Sequence, residues 1–274
     1  MDITELLLRA LVGLVAGTVG GLAGLGGSII MIPALAMFWG YDDEAKTKQH
    51  IYMAAAMAVN VIVALSSSIL HAKKKAARKD VLIALIPSMA GGMILGVLLS
   101  SGSKGSWSLY AFAGFIWLYC IYNVVTTIKK IPDYPEDNPS PAVWKMVAVG
   151  LVVGMISGYL GIGGGILLVP LLSLTKLPLR HAIAGSAGAM WISSIIGASM
   201  KFYTLPGLGL SMADALYFAL PMGAGALVGA YLGAMLAHKL KLPHLKLMIA
   251  VILAIASVRM IWDELVMVWT SLFG

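Results

Sequence analysis

The sequence predicts an all-α integral membrane protein made of two tandem homologous halves, and three observations predict it. Composition is the first: 60% of the 274 residues are hydrophobic and 11% are charged, with a mean hydropathy of +0.93, whereas soluble domains carry about 25% charged residues. The second is a set of apolar runs of membrane length. Ile51–Leu70, Val81–Ser100, Leu109–Ile128, Ala182–Met200, Ala213–Ala237 and Leu245–Ile261 each approach the roughly 20 residues a helix needs to cross a bilayer. None alternates with the period of two of a barrel strand. The third is an internal repeat: LVGLVAGTVGGLAGLGGSIIMIPAL (Leu11–Leu35) and AVGLVVGMISGYLGIGGGILLVPLL (Ala148–Leu172) align without a gap and are identical at 12 of 25 positions, a self-similarity that sets the architecture.

The repeat divides the chain into a first membrane repeat over 1–130, a Pro-rich linker over 131–142 and a second membrane repeat over 143–274. Each half opens on a Gly-broken or re-entrant helix followed by three transmembrane helices. Leu6–Met37 is long for one crossing and short for two. Its glycines, followed by Pro33, predict a broken helix or a hairpin with two short arms. The polar loop WGYDDEAKTKQH leads to the helix from Ile51, and HAKKKAARKD follows it, dense in lysine and therefore cytoplasmic. The next apolar run carries Gly92 and Gly96, and its counterpart carries Gly225, Gly229 and Gly233; this four-residue spacing lets helices pack closely in lipid. Gly13, Gly17, Gly150 and Gly154 read the same way. Asp80 and Asp214 read as N-caps, and IPDYPEDNPSP as an exposed connector. The tail WDELVMVWTSLFG is expected at the membrane interface.

Loop charge decides between two topologies. If the first segment of each half crosses, the halves are parallel and HKLKLPHLK falls outside. If it re-enters, each half crosses three times and the halves are inverted, leaving only Arg9, Lys46, Lys48, Lys104, Lys201 and Arg259 on the external side. The positive-inside rule favours the inverted repeats.

Several functions are excluded on composition and motif. The net charge of +7 sits in short loops, the pattern of topology rather than of a nucleic-acid surface. Cys120, the single cysteine, offers neither a disulfide nor a metal site and reads as packing. No metal or cofactor is expected. The acidic start of the chain argues against a cleavable signal peptide. GLGGS lacks the Lys and Ser/Thr of a phosphate-binding loop, and Ser186 in AGSAG has no histidine placed at depth to activate it, so the chain does not read as an enzyme.

The candidate site is the pair of glycine clusters. Backbone broken at membrane depth survives only inside protein or beside a watery cavity, and two breaks in matching positions point to a shared site. A half-helix starts after each cluster, and its free amides and positive dipole end suit an anion. The substrate-binding candidates are Gly24, Gly26, Gly27 and Ser28 in the first half and Gly161, Gly163, Gly164 and Gly165 in the second. Asn60, Ser186 and Lys201 are weaker lining candidates, and His50 and His181 are candidate proton gates at helix starts.

The doubled GLGGSIIMIP and GIGGGILLVP, each opening a four-segment unit, together with PSMAGGMILG and PMGAGALVGAYLG, resemble the TauE/SafE family of sulfite and organosulfonate permeases over nearly the whole chain. The resemblance implies a secondary carrier of small sulfur-containing anions such as sulfite, sulfoacetate or other sulfonates, coupled to an ion or proton gradient, in a bacterial inner membrane. The motif residues carried over include Pro33 and Pro170 beside the glycines. MAAAMA after His50 departs from the polar AGSAG of the second half. The expected mechanism is alternating access, with two inverted halves rocking around the glycine tips. The partners expected are a small anionic substrate and membrane lipid, with room for a homodimer. A passive anion channel and a non-transporting accessory subunit are the competing classes.

Overall fold

The computed structural model describes residues 2–23, 26–73, 78–129, 134–135, 138–139 and 141–236, and in the C-terminal stretch 250–251, 253–255, 257–260 and 262. Gly24, HKLKLPHLK, the tail beyond Trp262 and parts of the lysine-rich loop and the connector lie outside the described residues. The described chain is helical and divides about the connector. Before it run α1 (Ile3–Ala23), α2 (Ser28–Trp39), α3 (Lys48–Lys73), α4 (Lys79–Ser101) and α5 (Gly105–Lys129). After it run α6 (Val143–Leu160), α7 (Gly165–Leu174), α8 (Leu179–Thr204) and α9 (Met212–Leu236). Among the described residues seven of these are long and apolar enough to cross a membrane, and α2 and α7 are shorter apolar helices.

The opening segment of each half breaks at its glycines and not at its proline: Pro33 and Pro170 both lie inside the short helices α2 and α7. The first arm is longer than the sequence predicts, since α1 has 21 residues, about 31 Å at 1.5 Å per residue. After the break, α2 folds back along α1. A Cβ on Gly20 would meet the backbone of Gly26, one on Gly27 would meet Ala16, and at the far end the Arg9 guanidinium lies over the Trp39 ring at 5.3 Å. In the second half, Gly164 lies against Ser157 and Val153 of α6 in the same way.

The glycine stripes fix how the long helices pair. Gly13, Gly17 and Gly21 of α1 press on the backbone of Met222, Ala226 and Ala230, while Gly225, Gly229 and Gly233 of α9 press on Ala10, Leu14 and Thr18. The pattern recurs between α6 and α4, where Gly154 and Gly158 meet Met89 and Met93 and Gly92 and Gly96 meet Leu151 and Met155. Both stripes read as packing faces from sequence do pack. Their partners lie in the opposite half, so each hairpin's long arm is sewn to a helix of the other repeat.

Two ends of the bundle are held by different loops. At one, the Ser106 amide donates to Ala45 O at 2.9 Å, and buried Arg9 packs on Tyr217 at 3.6 Å and pairs with Glu5 at 2.7 Å. At the other, Arg78 donates to Asn138 O at 2.9 Å and Asn138 donates to Lys176 O at 2.7 Å, joining the lysine-rich loop, the connector and the exit of α7. Asp80 and Asp214 are not N-caps. Both lie inside the first turns of α4 and α9, the position before α4 is Arg78, and the Ser211 hydroxyl accepts from the Ala213 amide. Carboxylates in the first turn still complement the helix dipole. Cys120 is buried, and its thiol donates to Ala250 O at 3.2 Å, tying α5 to the C-terminal stretch.

A methyl group at a seam has nowhere to go: a Cβ on Gly154 would lie 2.2 Å from Met89 O and one on Gly229 2.1 Å from Leu14 O, whereas a Cβ on Gly114 of α5 meets nothing within 4 Å. Gly154→Ala and Gly229→Ala are each expected to destabilise the protein by about 1–3 kcal/mol. Gly114→Ala is expected to be neutral or slightly stabilising. Melting curves of the three detergent-purified variants check this.

Candidate functional site

The two glycine clusters meet at the middle of the bundle. Asn60 lies near the centre of the 26-residue α3, and Met190 near the centre of the 26-residue α8. A Cβ on Gly26 would fall 2.4 Å from Asn60 Oδ1 and 3.2 Å from Met190 Sδ; one on Gly163 would fall 1.8 Å from Asn60 Nδ2 and 3.1 Å from Met190 Cγ. The tips therefore flank one carboxamide and one thioether from opposite sides. Only glycine fits there, and Gly26 also needs its φ of +81°, a region costly for any residue with a Cβ.

Each tip is fastened by the groups it exposes. The Gly27 amide donates to Asn60 Oδ1 at 2.9 Å, and Asn60 Nδ2 donates to Ser194 Oγ of α8 at 2.9 Å. The amide orientation follows from this network, since only the oxygen can accept from Gly27. The Ser28 hydroxyl donates to Ala56 O of α3 at 3.2 Å. In the second half the hydroxyl comes from the other side of the joint: Ser186 of α8 donates to Gly165 O at 3.4 Å. Gly161 caps α6 in the left-handed region, and Gly164 precedes α7 at φ +84°. Residues 26–29 and 161–166 are all buried.

Neither short helix has a side-chain cap. The Ile30 and Met31 amides turn back to Gly27 O, and those of Leu167 and Leu168 to Gly164 O. The amides of Ser28, Ile29, Gly165 and Ile166 have no partner among the described residues. Two helix N-termini with free amides, brought to one place, form an arrangement suited to a small anion.

Of the sequence candidates, Gly26, Gly27, Ser28, Gly163, Gly164, Gly165, Asn60 and Ser186 come together at or beside the tips. Gly161 is set back against Met53, and Gly24 is outside the described residues. Lys201 does not join them. It follows the apolar run Ala182–Met200 in the sequence, but α8 continues through it to Thr204 and buries it completely. It lies seven residues beyond Ser194, about 10 Å along the helix, bonded to His50, Ser100 and Ser101. Sequence reasoning missed Ser194 and Met190; Ser194, a second intramembrane hydroxyl on the helix already singled out for Ser186, was a usable signal.

Seven long apolar helices and two paired half-helices define a multi-pass membrane protein whose broken segments meet inside it. The chain belongs to the TauE/SafE family: the family model described as sulfite exporter TauE/SafE matches residues 9–260. A probable membrane transporter protein of Methanocaldococcus jannaschii is 28% identical, the match covering 93% of this chain and 94% of that one. The probable membrane transporter protein YunE of Bacillus subtilis is 26% identical, with 93% and 97% covered. The probable membrane transporter protein MamO of Magnetospirillum gryphiswaldense is 24% identical over 95% of this chain but only 45% of its own length.

Among the described residues, Asn60 is the one side chain that bonds a tip and the opposite half. Asn60→Ala leaves the Gly27 amide without its acceptor, at a cost of about 1–3 kcal/mol, and is expected to lower the melting temperature well beyond Ser66→Ala, whose hydroxyl bonds only Ile62 O of its own helix.

Proposed function

We propose that this protein is a secondary carrier of small sulfur-containing anions, sulfite or organosulfonates, working by alternating access in a bacterial inner membrane. The observation that carries the reading is the meeting around Asn60 of two half-helix N-termini without side-chain caps, whose amides at Ser28, Ile29, Gly165 and Ile166 have no partner among the described residues. The family description supplies the sulfur chemistry, and the relatives' names support transport.

An inverted arrangement of the halves goes with this reading. The α1–α2 hairpin opens toward the Ala45–Ser106 end of the bundle, while the α7 exit reaches the Asn138–Lys176 end. A hairpin that returns to its own side leaves three full helices in the first half, α3, α4 and α5, an odd number, and the second half then starts from the opposite face. Loop charge supports the same orientation, with the lysine-rich end cytoplasmic. The two tips then enter from opposite faces and share the midplane, the arrangement of inverted-repeat carriers. The rocking bodies are not the two sequence halves. The glycine seams join α1 to α9 and α6 to α4, so each moving body draws on both repeats.

Purified protein in proteoliposomes is expected to accumulate labelled sulfite or sulfoacetate, and Gly163→Ala, whose Cβ collides with Asn60, to abolish uptake. Movement of a cation with none of these anions sinks the anion reading. Single-channel conductance without accumulation makes it a pore, and no flux from the pure chain makes it an accessory subunit. For topology, in a Cys120→Ala background, Lys104→Cys is expected to react with an impermeant maleimide in intact cells and Lys176→Cys only after permeabilisation; equal reactivity overturns the inversion.

A further inference from the structure

Ten residues from Asn60 along α3, about 15 Å, a second side-chain tie joins α3 to α8. Lys201 Nζ lies 2.9 Å from His50 Nδ1, 2.9 Å from Ser100 Oγ and 3.1 Å from Ser101 Oγ. His50 and Lys201 are 1% and 0% exposed. An ammonium has three hydrogens to donate, and these three acceptors take all of them. His50 Nε2 faces Ser103 O at 3.2 Å; a carbonyl only accepts, so Nε2 carries the ring hydrogen and Nδ1 is the bare acceptor that Lys201 requires.

Among the described residues, the positive charge this arrangement holds has no counter-ion: no carboxylate lies within ion-pair distance of Nζ. The groups facing the pair are His50 from α3, the hydroxyls of Ser100 and Ser101 from α4, Ser103 O from the α4–α5 turn and Thr204 from α8. Two carboxylates of the nearby α2–α3 loop are engaged elsewhere. Asp42 pairs with Lys48, and Asp43 accepts from the Thr47 hydroxyl, which holds its carboxyl below the ordinary range. A structural cation buried in a membrane protein is normally paired, and leaving it unpaired is expensive.

The cluster is also complete without the charge. Ser101 Oγ and Thr204 Oγ1 lie 2.9 Å apart, and either can donate. With the ammonium present, Ser101 accepts from Nζ and passes its own hydrogen to Thr204. With a neutral amine, Ser101 donates to the Nζ lone pair, and the two remaining N–H groups serve His50 Nδ1 and Ser100 Oγ. One N–H bond of Nζ breaks, the proton passes to water when the site opens, the charge falls from one to none, the imidazole keeps its hydrogen on Nε2, and every polar group keeps a partner.

We propose that Lys201 and His50, with Ser100 and Ser101, form the proton-binding site through which this carrier is driven. The proposal rests on the carrier reading and extends it by assigning the driving ion. The pair sits on the same two helices whose centres hold Asn60 and Ser194, so gain or loss of its proton acts on the helices that clamp the tips.

Labelled sulfite uptake into proteoliposomes with a pH-sensitive dye inside, with and without an inward acid gradient, reads the coupling. Wild type is expected to show gradient-stimulated uptake of several-fold, accompanied by acidification of the lumen. In Lys201→Met and His50→Gln the ratio with to without gradient falls to about one, and the acidification that accompanies sulfite disappears. Unchanged stimulation in Lys201→Met overturns the proposal. A second measurement needs no anion: the 15N spectrum of histidine-labelled protein in detergent, with the His50 signal identified by its loss in His50→Gln. Between about pH 5 and 10 the His50 signal of wild type is expected to follow a titration that Lys201→Met removes. A signal that behaves identically in both proteins overturns the proton site. A coupled titration in a protein that moves no sulfite leaves the proton site standing and removes the sulfite reading.

Discussion

The fold depends on how the chain settles backbone amides that it exposes by breaking helices at membrane depth. Lipid offers no acceptor there, and an unpaired buried amide costs about as much as a lost hydrogen bond. At Gly27 the chain meets this demand with one side chain. Asn60 accepts from the Gly27 amide and donates across to Ser194 of the opposite half, so a local backbone problem in the first repeat is solved through a contact with the second. The requirement for glycine follows from the same side chain. With the carboxamide held between the tips, a Cβ on Gly26 or Gly163 would occupy the space of its oxygen or nitrogen.

The two halves keep the place of each tip beside Asn60 and Met190 while exchanging the chemistry that fastens it, and the left-handed turn falls at Gly26 in the first half and at Gly164 in the second. In the first half the hydroxyl is on the tip, at Ser28, and α3 offers only the Ala56 carbonyl from its alanine run. In the second half the tip is Gly165 and the hydroxyl is Ser186 of α8. MAAAMA and AGSAG are therefore two versions of one joint, with the donor moved across it. Asn60 has no such exchange: it comes from the first half alone, bonds the first tip and lies against the second, so the centre is asymmetric even though the packing around it repeats.

Much of this was legible in the sequence because it rests on spacing. The duplicated glycine cluster located both breaks, and the four-residue glycine spacing identified the faces that pack. The pairing of those faces was not legible. A stripe such as Gly225, Gly229 and Gly233 states that a backbone comes close, not whose backbone, and its partner Leu14 lies in the other repeat. Asn60 and Ser186 could be singled out as polar groups in apolar runs, but the bond from Asn60 to Ser194 depends on how α3 lies against α8. Lys201 was misplaced for a physical reason. A lysine closing an apolar run looks like the solvated end of a helix, and only the approach of α3 and α4 supplies the imidazole and two hydroxyls that let it lie buried. The proline was misleading too, because a proline within a membrane helix is tolerated where neighbours satisfy the freed carbonyl, whereas a residue at φ +81° strongly favours glycine.

The distribution of contact types also bears on which parts can separate. Along α1–α9 and α4–α6 the helices touch backbone to backbone over several turns. Shifting such a seam loses many dispersion contacts at once. The ties between α3 and α8 at Asn60–Ser194 and His50–Lys201 are side-chain hydrogen bonds, and a neutral one contributes only about 0.5–1.5 kcal/mol net. Both can be remade with rotated side chains. Breaking such a tie costs little beside shifting a seam. The side-chain ties run between α3 and α8, past both tips, and each glycine-sewn pair lies on its own side of them.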